Sequence, residues 1–290
     1  MKLYFSPGAC SLADQIALIE AGLAFDSEAV DIPTKRTASG ADFREVNPKG
    51  YVPALVLDDG RIITENIAVL DWIADQSPAL RPAGPLGRTR LLEMLAFIST
   101  EIHRAFKPLW HAGDAAGRQA ARDSVAALLQ FASTQMQGDY LFGDSLSVAD
   151  CYLFVMLRWA DRFDVTTPEA LLRLRRRMEA RPSVQAALAR EGLQVRSPAV
   201  EVVENPGQRR FERPIEGGAL AAAYYRPEED ALVFIHTEVP TEFSGSGIGT
   251  DLARGTFELL RETGRKAVLT CPFMVHFFTT HPEYADVVSG

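Results

Sequence analysis

Apolar and polar positions alternate between two periods along the first eighty residues. Lys2-Leu3-Tyr4-Phe5 reads as a short strand, and Pro7-Gly8 is turn punctuation. From Ser11 onward Leu12, Ala13, Ile16, Ala17 and Ile19 recur at helical spacing, and Gly22 stands where the helix should end. Residues 25–32 read as a second strand, followed by a polar loop over 34–40 and a turn at Asn47-Pro48-Lys49-Gly50. Val52-Pro53 then leads into an apolar strand, Ala54-Leu55-Val56-Leu57. Asp58-Asp59-Gly60 carries a hairpin signal into Arg61-Ile62-Ile63. Thr64-Glu65-Asn66 opens a helix with Ile67, Leu70, Ile73 and Ala74 on one face.

Strand-helix-strand followed by helix-strand-strand-helix, with a proline before the third strand, is the order of a thioredoxin-like α/β domain, predicted over 1–77. A proline-rich linker over 77–85 ends it, and residues 88–193 read as an all-helical domain. Leu91, Leu92, Leu95, Ile98, Ile102 and Phe106 form one stripe along its first long helix. Ser147-Val148-Ala149-Asp150 has the form of a capping box. The helix it starts, 151–160, is apolar nearly all round and therefore central, which makes Cys151 a core residue. Arg173, Arg175, Arg176 and Arg177 share a helical pattern with Leu171, Leu172, Leu174 and Met178 and are expected to form a solvated face.

A second boundary is expected near 194–198. Short strands then return at 211–214, 218–225 and 231–239, with a turn at 228–230 between the last two. A glycine-rich stretch, Phe243-Ser244-Gly245-Ser246-Gly247-Ile248-Gly249, leads into a helix over 250–262, and 267–271 is a further strand. The third domain is thus a small α+β unit over 200–290.

Composition narrows the function classes. A chain of 290 residues with 47% hydrophobic and 23% charged content suits a soluble protein of two or three domains. A net charge of −8 and the lack of a long basic tract argue against nucleic acid as partner. The three cysteines are far apart, with neither CxxC nor metal spacing, which suits a reducing cytoplasm and no bound metal. No signal peptide is visible, and no apolar run is long enough for a membrane span.

Cys10, with Ser11 beside it, falls at the mouth of the first helix. Unpaired backbone N–H groups and the helix dipole favour negative charge there, so its thiol is expected to ionise easily.

Residues 1–193 resemble a beta-class (bacterial) glutathione transferase over both of its domains. The motifs that carry this are Ser6-Pro7-Gly8-Ala9-Cys10-Ser11, Val46-Asn47-Pro48-Lys49-Gly50, Val52-Pro53-Ala54-Leu55, Thr64-Glu65, Glu101-Ile102-His103-Arg104, Ser147-Val148-Ala149-Asp150 and Leu157-Arg158-Trp159-Ala160. The resemblance implies catalytic roles for Cys10 and His103, and glutathione as co-substrate. The glutathione site it implies contains Ser11, Tyr51, Val52, Pro53 (the family's cis-proline), Glu65, Asn66 and Arg104. Phe106, Trp110 and Trp159 are expected at the pocket for a small electrophile. The family is homodimeric. Two positions depart from its pattern: Asn66, usually a smaller residue, and Tyr51, usually an amide or histidine. A cysteine at the helix mouth adds thiol–disulfide exchange or peroxide reduction to conjugation.

Residues from about 200 to 288 resemble the minimal acetyltransferase-like domains of the GNAT superfamily. The resemblance rests on Val233-Phe234-Ile235-His236-Thr237-Glu238-Val239-Pro240, the glycine-rich stretch, and Leu269-Thr270-Cys271-Pro272-Phe273. It implies an acetyl-CoA site formed by Val239, Ser244, Gly245, Gly247, Ile248, Gly249 and Cys271, with amides at the helix start cradling pyrophosphate. Ser244 departs from the family's usual arginine or glutamine. Glu238 or His236 is a candidate base, whereas His276 and His281 make no metal face. Two other functions fit the same residues. One is an N-acetyltransferase using the first 193 residues as a dimerisation scaffold; the other is a non-catalytic glutathione-binding stress protein.

Overall fold

The structure, a computed structural model, describes residues 1–111, 114–193, 202–215, 218–228, 231–243 and 248–289. The expected boundary at 194–198, part of the turn at 228–230 and the glycine-rich residues Ser244, Gly245, Ser246 and Gly247 lie outside the described residues. The chain divides into two compact units, Met1–Arg196 and Ser197–Gly290.

The first unit opens with a five-stranded sheet ordered β3-β2-β1-β4-β5. Its strands are β1 (Lys2–Phe5), β2 (Asp26–Asp31), β3 (Arg36–Thr37), β4 (Ala54–Val56) and β5 (Ile62–Thr64). β1 lies at the centre, parallel to β2 and antiparallel to β4, and buries Leu3, Tyr4 and Phe5 on both faces. Helix α1 (Leu12–Glu20) connects β1 to β2, and α2 (Asn66–Gln76) follows β5. Two local expectations fail here. The loop at 34–40 contains β3, which pairs with β2, and a single 3₁₀ turn, Phe43–Glu45, stands where a helix was expected before β4.

The helical part follows as α3 (Gly87–Phe97), a π-helical segment (Ile98–His103), α4 (Lys107–Trp110), α5 (Ala115–Thr134), α6 (Val148–Arg162), α7 (Glu169–Glu179) and α8 (Pro182–Arg190). The apolar stripe is present, with Leu91, Leu95, Ile98, Ile102 and Phe106 fully buried. The helix, however, widens to π geometry just before His103, a distortion that recurs at functional sites. Helix α6 is central. Ser147 N–H and Oγ donate to Asp150 Oδ2 at 2.8 and 2.6 Å, and Leu141 N–H donates to Oδ1 at 2.8 Å. These bonds close its N-terminus, and Cys151 sits in the core behind them. One apolar core runs from the β1–α1 layer through α2, α3, α5, α6, α7 and α8 without interruption.

The arginine cluster is not uniformly solvated. Arg175 is only 8% exposed and bonds Asp161 and Glu179, each at 2.9 Å. Burial alone would pull its guanidinium down, but the two carboxylates together hold it raised. Arg173 and Arg176 do face solvent, paired with Glu169.

The second unit is a five-stranded sheet ordered β10-β9-β8-β7-β6. It comprises β6 (Val203–Asn205), β7 (Arg210–Pro214), β8 (Leu220–Pro227), β9 (Ala231–Glu238) and β10 (Lys266–Leu269), with helices α9 (Ile248–Glu262) and α10 (Pro272–Thr280). Neither β6 nor α10 is evident from apolar periodicity. All neighbours are antiparallel except β9 and β10. Ala253, Phe257 and Leu260 of α9 recur at four- and three-residue steps and, with Leu252, bury against Phe211, Phe234 and Phe277.

Candidate functional site

Gly8 takes a left-handed φ of +70° in the turn between β1 and α1, which a side chain would resist. Two bonds fix this glycine. Its N–H donates to Glu191 Oε2 at 2.8 Å, and its carbonyl accepts from Trp159 Nε1 at 2.8 Å. Cys10 follows, with its Sγ 3.9 Å from the carbonyl oxygen of Val52, the residue joined to Pro53 by a cis peptide bond. The thiol and the cis-proline turn are therefore brought together, although 42 residues separate them in sequence.

Against the expectation of an easily ionised thiol stands the burial of its sulfur. Part of Cys10 reaches solvent, yet burial around its sulfur pushes the thiol up to about 12. The Asp14 carboxylate adds to this, against the opposing pull of the Cys10 and Ser11 backbone N–H groups. In this environment the thiol donates its hydrogen. Ser11 is also reassigned: it is fully buried, and its Oγ accepts from Ser6 N–H at 3.2 Å, so its side chain faces the protein.

Glu65 caps α2 with φ +76°, a strained conformation for a residue with a side chain. Its carboxylate pairs with Lys49 Nζ at 2.5 Å and is largely exposed. Asn66, next in the chain, is buried instead. With its amide ends assigned from the hydrogen-bond network, it donates to Asp14 Oδ2 at 2.8 Å and to the Cys10 carbonyl at 3.2 Å. Tyr51 is 65% exposed, with Lys35 Nζ 4.7 Å from its ring centroid and bonded to the Gly50 carbonyl.

His103 is half-buried at the end of the π segment, and its Nδ1 lies 2.7 Å from the Tyr152 hydroxyl. Burial lowers its pKa below the usual 6.5, so the ring is neutral at pH 7. Burial also raises the Tyr152 phenol, and an ionised Cys10 would raise it further. Tyr152 thus joins His103 to the thiol's surroundings. Sequence reasoning missed it because a tyrosine inside an apolar helix looks like core. Arg104 is exposed. Of the expected electrophile-pocket residues, Trp110 is 40% exposed, whereas Trp159 is buried and Phe106 has no exposed surface. Phe106 therefore backs the wall behind Trp159 (ring centroids 5.5 Å apart) and does not line it.

In the second unit β10 pairs with β9 only from Lys266 to Leu269. Thr270 and Cys271 N–H both turn to the Phe234 carbonyl, and the chain leaves into α10. Beyond Phe234, β9 keeps β8 on one side and has no strand on the other among the described residues. Val239 lies at the end of this open edge. Ile248 is buried in the core, so only its backbone is left to meet a ligand. A Cβ on Gly249 would come 2.8 Å from Phe273 Cζ, at the tip of a partly exposed ring. Cys271 is 3% exposed, its Sγ 3.4 Å from Thr237 Oγ1, and it belongs to the core more than to an open site. Glu238 accepts from the Tyr224 hydroxyl at 3.3 Å, and the His236 ring stacks on Tyr224. Among the described residues no cluster of three or more His, Cys, Asp or Glu is placed to hold a metal, and no helix is long and apolar enough to cross a membrane.

Comparison with known proteins agrees with both halves of this geometry. Residues 10–76 match the glutathione S-transferase N-terminal domain, 114–190 its C-terminal domain, and 210–287 the GCN5-related N-acetyl-transferase family. Glutathione S-transferase GstA of Escherichia coli O157:H7 is 38% identical over 200 residues, spanning 67% of this chain and all of GstA. A ternary complex of BphK, a bacterial GST, is 46% identical with a TM-score of 0.63, over 67% of this chain and 100% of BphK. A sphingomonad glutathione S-transferase complexed with glutathione is 45% identical with a TM-score of 0.63, over the same shares of the two chains. With relatives matched over their full length and a thiol set against a cis-proline turn at the mouth of α1, the chain belongs to the glutathione S-transferase family, and a GCN5-related N-acetyltransferase-like domain follows the transferase part.

Proposed function

We propose that the first unit binds glutathione with its sulfur beside Cys10 and conjugates it to a small electrophile. The observation that carries this reading is the 3.9 Å approach of Cys10 Sγ to the Val52 carbonyl. It sets the thiol beside a turn whose backbone can pair with the cysteinyl part of an extended tripeptide. Glu65, exposed at the start of α2, receives the γ-glutamyl ammonium, and the first N–H groups of α2 receive its carboxylate. Tyr51, Lys35 and Arg104 flank the other end. A thiol held up near 12 acts as an S–H donor to the glutathione thiolate, which favours conjugation over thiol–disulfide exchange or peroxide reduction. Glutathione's proton passes to His103 as the tripeptide binds; in the reacting step the thiolate sulfur forms the new carbon–sulfur bond, and the leaving group departs with its electron pair. The protein works as a homodimer, as the family does.

Turnover of a chlorinated aromatic electrophile with glutathione tests this reading. Wild-type protein is expected to turn over, Cys10→Ala to lose most of the rate, and oxidised glutathione to leave little mixed disulfide on Cys10 by mass spectrometry. Equal rates for wild type and Cys10→Ala would overturn it.

For the second unit we propose acetyl-CoA binding, with the pantetheine arm along the edge of β9 that β10 leaves open and the pyrophosphate at the start of α9. A rise in melting temperature with acetyl-CoA, separate from the rise with glutathione, is the expected result. No rise would remove this part alone.

A further inference from the structure

Beneath Cys10 lies a pair of polar side chains, Asp14 and Asn66, that the conjugation chemistry does not use. Asp14, in the first turn of α1, is fully buried, and among the described residues its Oδ1 has no hydrogen-bond partner. Its Oδ2 accepts from Asn66, whose amide also reaches the Cys10 carbonyl, and that carbonyl already accepts from Ala13 N–H at 3.0 Å. One side chain from α2 thus grips both the backbone of the thiol residue and a carboxyl four residues along. Such an arrangement is costly to bury, since an unpaired carboxylate oxygen forfeits its hydration.

We propose that Asn66 and Asp14 are coupled positioning residues for Cys10: Asn66 holds the Asp14 carboxylate against the thiol's turn, and Asp14 opposes ionisation of that thiol. This inference rests on the reading of Cys10 as the thiol at the glutathione site. Asn66 favours the charged form of Asp14 by donating to it, whereas burial and the nearby Glu191 favour the neutral form. The net effect raises Asp14 well above its usual 3.8, so its carboxylate bears on Cys10 in the alkaline range where that thiol itself titrates. Other groups facing the thiol are Glu65 at the start of α2 and Tyr152 on α6, itself bonded to His103. Asp14 is also felt by Tyr152 and Cys151 of α6. Lys49 pairs with Glu65 and the Arg158 charge acts on Glu191, whereas the donor on Asp14 itself is the Asn66 amide.

The coupling has a directional consequence. Removing the Asp14 charge frees the thiol to ionise. Removing the Asn66 amide frees it partly, by letting Asp14 take up a proton, and has no such effect once Asp14 is already neutral. The experiment measures iodoacetamide alkylation of Cys10 at fixed alkaline pH, located by peptide mapping, in wild type, Asp14→Asn, Asn66→Ala and the double variant. Expected rates relative to wild type are about tenfold higher for Asp14→Asn and about threefold higher for Asn66→Ala, with the double variant no faster than Asp14→Asn. Asp14→Ser replaces Asp14→Asn should the latter fail to melt cooperatively. A merely structural pair would change the melting temperature without this pattern of rates. An unchanged rate in Asp14→Asn, or an Asn66→Ala effect of the same size in both backgrounds, overturns the inference. Because alkylation needs no glutathione, that failure is distinguishable from loss of the conjugation reading, which the turnover of Cys10→Ala decides.

Discussion

His103 Nδ1 and the Tyr152 hydroxyl are 2.7 Å apart, and their rings meet edge to face at 89°. The bond occupies one imidazole nitrogen and fixes the plane of the ring, so the other nitrogen has a set direction. Burial keeps the ring neutral at pH 7, which suits a proton acceptor and not a fixed cation. Tyr152→Phe removes only the hydroxyl from a buried ring. We expect the fold to persist and kcat for conjugation to fall by roughly tenfold, the equivalent of one hydrogen bond of about 1.4 kcal/mol. His103→Ala should lose at least as much, and the double variant little more than His103→Ala. Steady-state kinetics of the three proteins check this; fully additive losses would separate the two residues.

Glu191 ties the end of α8 to the thiol turn, accepting from Gly8 N–H at 2.8 Å and from Gln15 Nε2 at 2.6 Å. Burial raises its pKa from 4.5 to about 7, despite those two donors and the Arg158 charge. The folded protein therefore keeps a proton that the unfolded chain releases. The stabilisation is complete below the unfolded value and is lost as pH rises from about 4.5 through about 7. Glu191→Gln carries no such titration and can still bond both partners. Denaturant melts should show the variant close to wild type near pH 4.5 and more stable by roughly 2 kcal/mol near pH 8. An identical pH dependence in both proteins would place the Glu191 carboxyl in solvent.

Most of the fold was readable because its signals are local. The Ser147–Asp150 capping box, the helical stripe from Leu91 to Phe106 and the strand-turn-helix around Cys10 each lie within a few turns of chain. What escaped depends on distant neighbours. The thiol's ionisation looked favourable from the helix mouth alone, but burial around the sulfur outweighs the amides. Asn66 and Asp14 are 52 positions apart, and nothing in either segment announces that they meet. Arg175 looked solvated because its acidic partner Asp161 comes from another helix, α6. Strand β6 is three residues long, and α10 is too apolar to show a period.

The Arg175 site gives a sharp stability test. Its guanidinium bridges Asp161 and Glu179, and Glu179 is itself buried. Arg175→Met keeps most of the aliphatic volume but leaves Glu179 in the interior without its cation. Truncating one partner of such a group commonly costs about 3–5 kcal/mol. Chemical denaturation is the measurement, and a loss under about 1 kcal/mol would indicate a solvated arginine. Arg173→Met, on the open side of the same helix, should change stability by less than about 0.5 kcal/mol.

Trp159 links stability to binding through one bond. Its indole Nε1 donates to the Gly8 carbonyl from α6, while its ring packs against His103, Phe106 and Trp110. Phenylalanine fills much of the same space and cannot donate. The Gly8 carbonyl then loses its partner, and of the two bonds on this glycine only the one to Glu191 remains. Trp159→Phe should cost about 1–3 kcal/mol in stability for the unpaired carbonyl and the smaller ring. Its kinetic mark should be a several-fold rise in KM for glutathione, because a looser turn must be ordered when the tripeptide binds. A rise confined to KM for the electrophile would instead place Trp159 at the electrophile wall, with the Gly8 bond irrelevant to the thiol turn.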